Sequence, residues 1–274
     1  MALPASVTGT FNYTRHGGPM PEVFFYEPAA GTKIRDPGDD PHAMSVRNGW
    51  ESPRGYELDV NGFSVEEFRP AHSDWNDDAA IRAHFYPEVV DLVKRTTGAK
   101  QVVVFDHTIR AARNEKQQTA ETTTTQRAPV MLVHCDYTSN SGPTRVRQVM
   151  GGEAEDLLRR RVAFYNVWKP LHRKVEERPL AVCNAASAKA DDFVTMALRY
   201  RERDGEIYVM SHSPSHDWVY FPEITPDQVI FLKTYESETD GRARFAGHSA
   251  FLDPTTRPGA PFRESVEIRT MAFF

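Results

Sequence analysis

Val130-Met-Leu-Val-His134-Cys135-Asp136-Tyr137-Thr138 is an apolar run that ends in an imidazole and a carboxylate two residues apart. A run of this length and composition predicts a buried strand, and on a strand residues i and i+2 project from one face. His134 and Asp136 are therefore expected side by side. A neutral imidazole and a carboxylate so placed can fill two adjacent positions of an octahedral metal, and a second histidine would complete the facial triad that leaves positions open on non-haem Fe(II). The His-x-Asp spacing alone carries little weight, because His72-Ser73-Asp74 repeats it in a polar segment with no apolar strand to hold the pair.

On both sides of this run the pattern is strand-like. Upstream lies Gln101-Val-Val-Val-Phe105; downstream follow Val162 to Trp168, Leu180 to Cys183, Thr195 to Tyr200, Glu206 to Ser211, Trp218 to Phe221, Gln228 to Tyr235, His248 to Phe251 and Glu264 to Phe274. Short strands separated by turn signals such as Asp204-Gly205 predict a mainly β protein with a sandwich or barrel-like core. One amphipathic helix is expected from Asp77-Asp78, with Ile81, Phe85, Val89, Leu92 and Val93 at helical spacing and Gly98 past its end; Glu153 to Arg161 is the one further helix expected. Residues 1 to about 75, rich in Gly and Pro, read as an irregular arm. Ala111 to Arg127, with Thr122-Thr-Thr-Thr125, reads as a polar surface loop, or as a lid over a site.

Composition bounds the function. The 274 residues carry 33 Lys+Arg against 38 Asp+Glu, a formal charge of −5, which argues against a nucleic-acid partner. Apolar residues at 40% and aromatic residues at 11% supply a sizeable core. No stretch approaches the roughly 20 apolar residues of a membrane span, and Met1 to Ser6 lacks the features of a secretory signal, so a soluble, cytoplasmic protein is expected. Cys135 and Cys183 are the chain's two cysteines, which excludes cysteine-rich zinc sites and predicts two reduced, buried thiols.

Three histidines compete to complete the triad: His248, and His212 and His216 in Ser211-His-Ser-Pro-Ser-His216. His248 is preferred, since it opens the strand just before the one that begins near Arg263. There Arg263 and Ser265 fall on one face, where a guanidinium and a hydroxyl can hold a carboxylate. Arg269 shares that face by parity and is the rival anchor.

His134-x-Asp136, a distal His248 and Arg263-x-Ser265 resemble the signature of the Fe(II)/2-oxoglutarate-dependent oxygenases with a double-stranded β-helix (jelly-roll, cupin-like) core. Val133 to Thr138, Asn166-Val-Trp-Lys-Pro170, Pro179 to Cys183, His248-Ser-Ala-Phe-x-Asp-Pro254 and Arg263 to Arg269 resemble, more narrowly, the tailoring enzymes grouped with gibberellin desaturase, the cephamycin methoxylation component and a meroterpenoid endoperoxide-forming enzyme. The resemblance implies one oxygenase domain over residues 1–274, with an arm and packing helix at 1–98 and the β-helix core at 99–274. It implies Fe(II) on His134, Asp136 and His248, and 2-oxoglutarate on Arg263 and Ser265. It also implies dioxygen and a small-molecule natural product as partners, with hydroxylation, desaturation or rearrangement as the outcome. Tyr137, Asn166, Trp168, Trp218 and Tyr220 are candidates for the substrate wall. A homo- or heterodimer is compatible with the chain. A non-oxidative metal-binding β-barrel and a silent partner subunit are the alternatives; the first has no need for a dicarboxylate anchor, and retention of the whole signature speaks against the second.

Overall fold

The computed structural model describes residues 3–72, 74–111 and 126–274. The polar tract expected to be a loop or lid lies, at residues 112–125, outside the described residues. Among the described residues two sheets form. The larger contains β1 (Ser6–Tyr13), β2 (Glu22–Phe24), β3 (Asp40–Asn48), β7 (His134–Cys135), β9 (Leu180–Cys183), β10 (Phe193–Arg199), β11 (Asp204–Met210), β12 (Trp218–Tyr220) and β14 (His248–Ala250). The smaller contains β4 (Phe63–Glu67), β5 (Gln101–Ala111), β6 (Gln126–Arg127), β8 (Val162–Pro170), β13 (Gln228–Glu236) and β15 (Glu264–Phe273). Their orders are β1-β3-β12-β9-β14-β7-β11-β10-β2 and β4-β13-β8-β15-β5-β6.

The sheets curl over one another as the double-stranded β-helix the sequence led us to expect. Phe63, Trp168, Ile230 and Leu232 of the smaller sheet pack on Leu180, Val182 and Val219 of the larger. The helix covers the smaller sheet's other face, where Phe85, Val89 and Val93 meet Ala163, Tyr165, Val167 and Ile268. Strand β8 is thus buried along its whole length, which is why it reads as a continuous apolar run instead of an alternation. Its odd-numbered residues face the helix and its even-numbered ones, Asn166 and Trp168 included, face the interior.

The helix begins and ends where its caps predict. Asp77 accepts from the backbone N–H groups of Ala79 and Ala80, and Gly98, at φ 75°, returns its N–H to Lys94. Between these ends an unexpected π-turn at Ile81–Phe85 precedes the regular stretch Tyr86–Thr97.

Three expectations differ from the fold. The N-terminal stretch is built into the sheets: β1 pairs with β3 from Ser6↔Arg47 to Tyr13↔Asp40, and β3 continues the sheet alongside β12. Val7, Phe11 and Tyr13 point inward, but Gly9 takes one inward place because Phe251 lies against it, where a Cβ would come within 2.5 Å of the ring. That gap hides the alternation in the sequence. A helix at Ser141–Met150 was not expected, since Ser-Gly-Pro looks like a turn; Gly142 is required there because Tyr235 packs on it, 2.5 Å from a built Cβ. The strand expected in the run from Val130 to Thr138 is reduced to His134–Cys135. Cys135 and Cys183 are free and buried. Among the described residues no helix is long and apolar enough to cross a membrane.

Candidate metal centre

His134 and His248 lie opposite one another on the neighbouring antiparallel strands β7 and β14, with ring centroids 4.4 Å apart. Both are buried. Each ring uses Nδ1 in the same way: His134 donates to the carbonyl of Leu132 at 2.8 Å, and His248 to that of Ala246 at 3.0 Å. A carbonyl can only accept, so Nδ1 carries a proton in both rings and Nε2 is the nitrogen turned to the site, the one through which a neutral ring so held can bind a metal.

Asp136 stands one residue past the end of β7, so strand parity alone does not place it. Its Oδ1 lies 3.5 Å from His134 Nε2, and its Oδ2 accepts from the Asn166 amide at 2.6 Å. The ligand atoms of His134, Asp136 and His248 all fall within 4.8 Å of one another. Burial pushes the Asp136 carboxyl up, but the His134 ring and the Arg269 guanidinium outweigh it and hold the group well below the usual carboxylate range. Burial, with His134 beside it, pushes the His248 imidazolium down and keeps that ring neutral. A carboxylate held ionised beside two imidazoles fits a divalent cation of the non-haem iron type.

A pocket opens beside the two rings, lined among others by Arg110, Trp168, Arg263 and Glu267. Arg263 immediately precedes β15 and is 3% exposed; its guanidinium stands 5.5 Å over the Trp168 ring and donates to the Arg178 carbonyl at 2.6 Å. Arg263 Nε and Ser265 Oγ are buried without a hydrogen-bond partner. Burial and the neighbouring Arg110 push the Arg263 guanidinium down to about 9. Unpaired buried donors cost roughly 1–3 kcal/mol each; Arg263 lines the cavity, and Ser265 stands two residues on, in β15. Arg269, the rival anchor, is already engaged: it pairs with Asp106 at 2.9 Å and with Glu267 at 2.8 Å, and donates to Thr108 at 3.1 Å.

The competing histidines stand elsewhere. His216 uses both nitrogens, toward Tyr13 Oη at 3.1 Å and Asp192 Oδ2 at 3.1 Å. His212 stacks on His42 with ring centroids 3.6 Å apart. Of the candidate substrate-wall residues, Trp168 lines the cavity. Asn166 reaches Asp136, and Tyr137 packs edge-on against Phe164. Trp218 and Tyr220 are placed in the core of the larger sheet, away from this cavity: Trp218 stacks on Phe11 at 4.1 Å and Tyr220 packs on Phe251. Their apolar area is covered by the N-terminal strands, which were not expected there. Glu267 and Arg110 went unnoticed in the sequence. The parity of Arg263, Ser265, Glu267 and Arg269 would have revealed the first; the second follows only from the pairing of Ser265 with Arg110 across β15 and β5.

Residues 11–273 match the family model described as Oxidoreductase/YMDC permease-like domain. The hydroxylase/desaturase efuI of Hormonema carpetanum is 31% identical, over 81% of this chain and 77% of that protein. The Fe(II)/2-oxoglutarate-dependent dioxygenase nvfI of Aspergillus novofumigatus is 30% identical, over 92% of this chain and 95% of that protein. A solved structure of the iron and alpha-ketoglutarate-dependent endoperoxidase NvfI superposes with a TM-score of 0.86 at 26% identity, covering 98% of each chain. With a triad of metal-binding type beside an open cationic cavity, on a chain alike from end to end, this protein belongs to the family of Fe(II)/2-oxoglutarate-dependent dioxygenases and hydroxylase/desaturases.

Proposed function

We propose that this protein is a single-domain Fe(II)- and 2-oxoglutarate-dependent oxygenase. It oxidises a C–H bond of a small-molecule natural product by hydroxylation, desaturation or oxidative rearrangement, while 2-oxoglutarate is decarboxylated to succinate. His134, Asp136 and His248 would hold the metal, and Arg263 with Ser265 would grip the far carboxylate of the cosubstrate. The observation that carries this reading is the pair of backbone carbonyls at Leu132 and Ala246, which fix both rings with Nε2 free. When bound, iron supplies the activation of dioxygen that an unactivated C–H bond demands. The chain supplies the rest. Arg263 and Ser265 orient the diacid, the Trp168 ring floors the cavity, and burial of the two imidazoles keeps water from the reacting centre. The two buried thiols suit a reducing compartment, and we place the protein's action in the cytoplasm.

The test is anaerobic addition of Fe(II) and 2-oxoglutarate to the metal-free protein, watching for a visible charge-transfer band. The band should form with the parent protein and with His212→Ala, and should vanish with His248→Ala. Loss with His212→Ala and persistence with His248→Ala would overturn the ligand set. Succinate release stimulated by candidate natural products then reports the reaction itself.

A further inference from the structure

Asp136 meets Asn166 and Arg269 through one oxygen and His134 through the other. Oδ2 accepts from Asn166 Nδ2 at 2.6 Å and faces Arg269 Nε at 3.5 Å, whereas Oδ1 is turned toward His134 Nε2. Asn166 is fully buried at the centre of β8, paired with Arg269 across β15. Its amide orientation follows from its partners: Thr234 Oγ1 approaches Oδ1 at 3.4 Å, while Nδ2 faces two acceptors, Asp136 and Glu267 Oε1, the latter at 3.4 Å. The register of β8 with β13 shifts between Lys233 and Tyr235, and that of β15 with β5 shifts after Arg269. Such bulges turn side chains out of strand parity, and here they flank Thr234 and Arg269, the residues that surround Asn166 and Asp136.

The geometry points to Asn166 as a positioning residue that, together with Arg269, holds Asp136 by Oδ2 and so presents Oδ1 as its single ligand atom. This rests on the iron reading of the centre and deepens it. A carboxylate free to turn could chelate through both oxygens and fill a position that the cosubstrate or dioxygen needs; one oxygen held back by a neutral amide and a cation prevents that. The amide is suited to the task because it donates without adding charge beside the metal. Asn166 itself touches neither metal nor substrate in this role.

The test is titration of metal-free, full-length protein with Co(II), read by calorimetry and by the visible ligand-field bands. Asn166→Ala should weaken Co(II) by about 10–100-fold, the usual cost of losing an outer partner of a ligand, and should alter the band pattern. Asn166→Leu, which refills the volume, should do the same and serves if the alanine variant does not fold. In an Asp136→Ala background, adding Asn166→Ala should change Co(II) affinity by no more than about twofold, as expected of sites that no longer interact. Unchanged affinity and bands in the folded Asn166 variants, or an equal loss in the Asp136→Ala background, would overturn the inference while leaving the iron reading in place. Failure of the parent protein to bind Co(II) would overturn both.

Discussion

Two groups of histidines stand on or beside the nine-stranded sheet, and they differ in which ring nitrogen the fold has engaged. In the pair on β7 and β14, backbone carbonyls take Nδ1 and leave Nε2 open. In the group around β1, a chain of hydrogen bonds takes both nitrogens of His216: Trp218 Nε1 donates to Tyr13 Oη at 2.7 Å, Tyr13 donates to His216 Nδ1, and His216 Nε2 donates to Asp192. His42 and His212 meet there face to face, and His42 Nε2 lies 3.0 Å from Asp40 Oδ2. Both groups are buried or half-buried, and both contain the residue type that binds metals. The lesson is that imidazole content does not mark a ligand site; the convergence of two rings and a carboxylate, with their ligand atoms within 4.8 Å of one another, does.

The sharpest way to break this comparison is to remove one ring from each group. His248→Ala should abolish tight Fe(II) or Co(II) binding, a larger effect than the roughly 10–100-fold expected of an outer-shell change. His216→Ala should leave metal affinity within about twofold and instead cost roughly 1–3 kcal/mol of stability, because Tyr13 and Asp192 lose a buried partner. Calorimetric metal titration and urea unfolding read the two effects separately; equal loss of metal affinity in both variants would erase the distinction.

The same contrast of open and engaged groups holds for two arginines on one strand face. Arg263→Gln should weaken 2-oxoglutarate binding about 30-fold or more, the lower end of the cost of truncating a buried charge pair. Arg269→Gln should act chiefly on the fold, by leaving Glu267 and Asp106 without their cation, and on metal affinity through Asp136. Cosubstrate titration of the Fe(II) protein by the charge-transfer band separates them, and an unaffected Kd in Arg263→Gln would refute the anchor.

Acidification offers a gentler probe. Burial depresses the imidazolium of His216 despite Asp192, and that of His107 despite Asp78, so both fold in the neutral form. Above about pH 6.5 these rings are neutral in both states and contribute no pH dependence. Below it the unfolded chain takes up protons that the fold resists, so the urea midpoint of the metal-free protein should fall between pH 7.5 and pH 5.5. The decline should flatten in His216→Gln, and a midpoint that stays level or rises would contradict the engaged, neutral state. The smallest effect is expected from Trp218→Phe. It should cost about 1 kcal/mol for the lost hydrogen bond to Tyr13 and leave metal and cosubstrate binding unchanged, as befits a ring in the core.

Local patterns carried much of this reading. The caps at Asp77 and Gly98, the apolar runs of β8 and β9, and the Asp204-Gly205 turn all act over a few residues, so their outcomes match the sequence closely. What failed was contextual. Gly9 and Gly142 look like breaks in a pattern until Phe251 and Tyr235, distant in sequence, are seen packed against them. Trp218 and Tyr220 read equally as pocket wall or core, because an aromatic on a strand carries no label for what covers its face.

The sequence by itself determined the mainly β class, the helix with its ends, and the residue types gathered as His134, Asp136, His248, Arg263 and Ser265. Only the tertiary structure decided which nitrogen of each ring is open, which arginine is already paired, and that Asn166 turns toward Asp136. Residue type and spacing are properties of neighbours along the chain. Hydrogen-bond occupancy depends on groups brought together by strand pairing and bulges, such as Thr234 and Asn166, 68 residues apart, and that long-range register is set only when the sheets close.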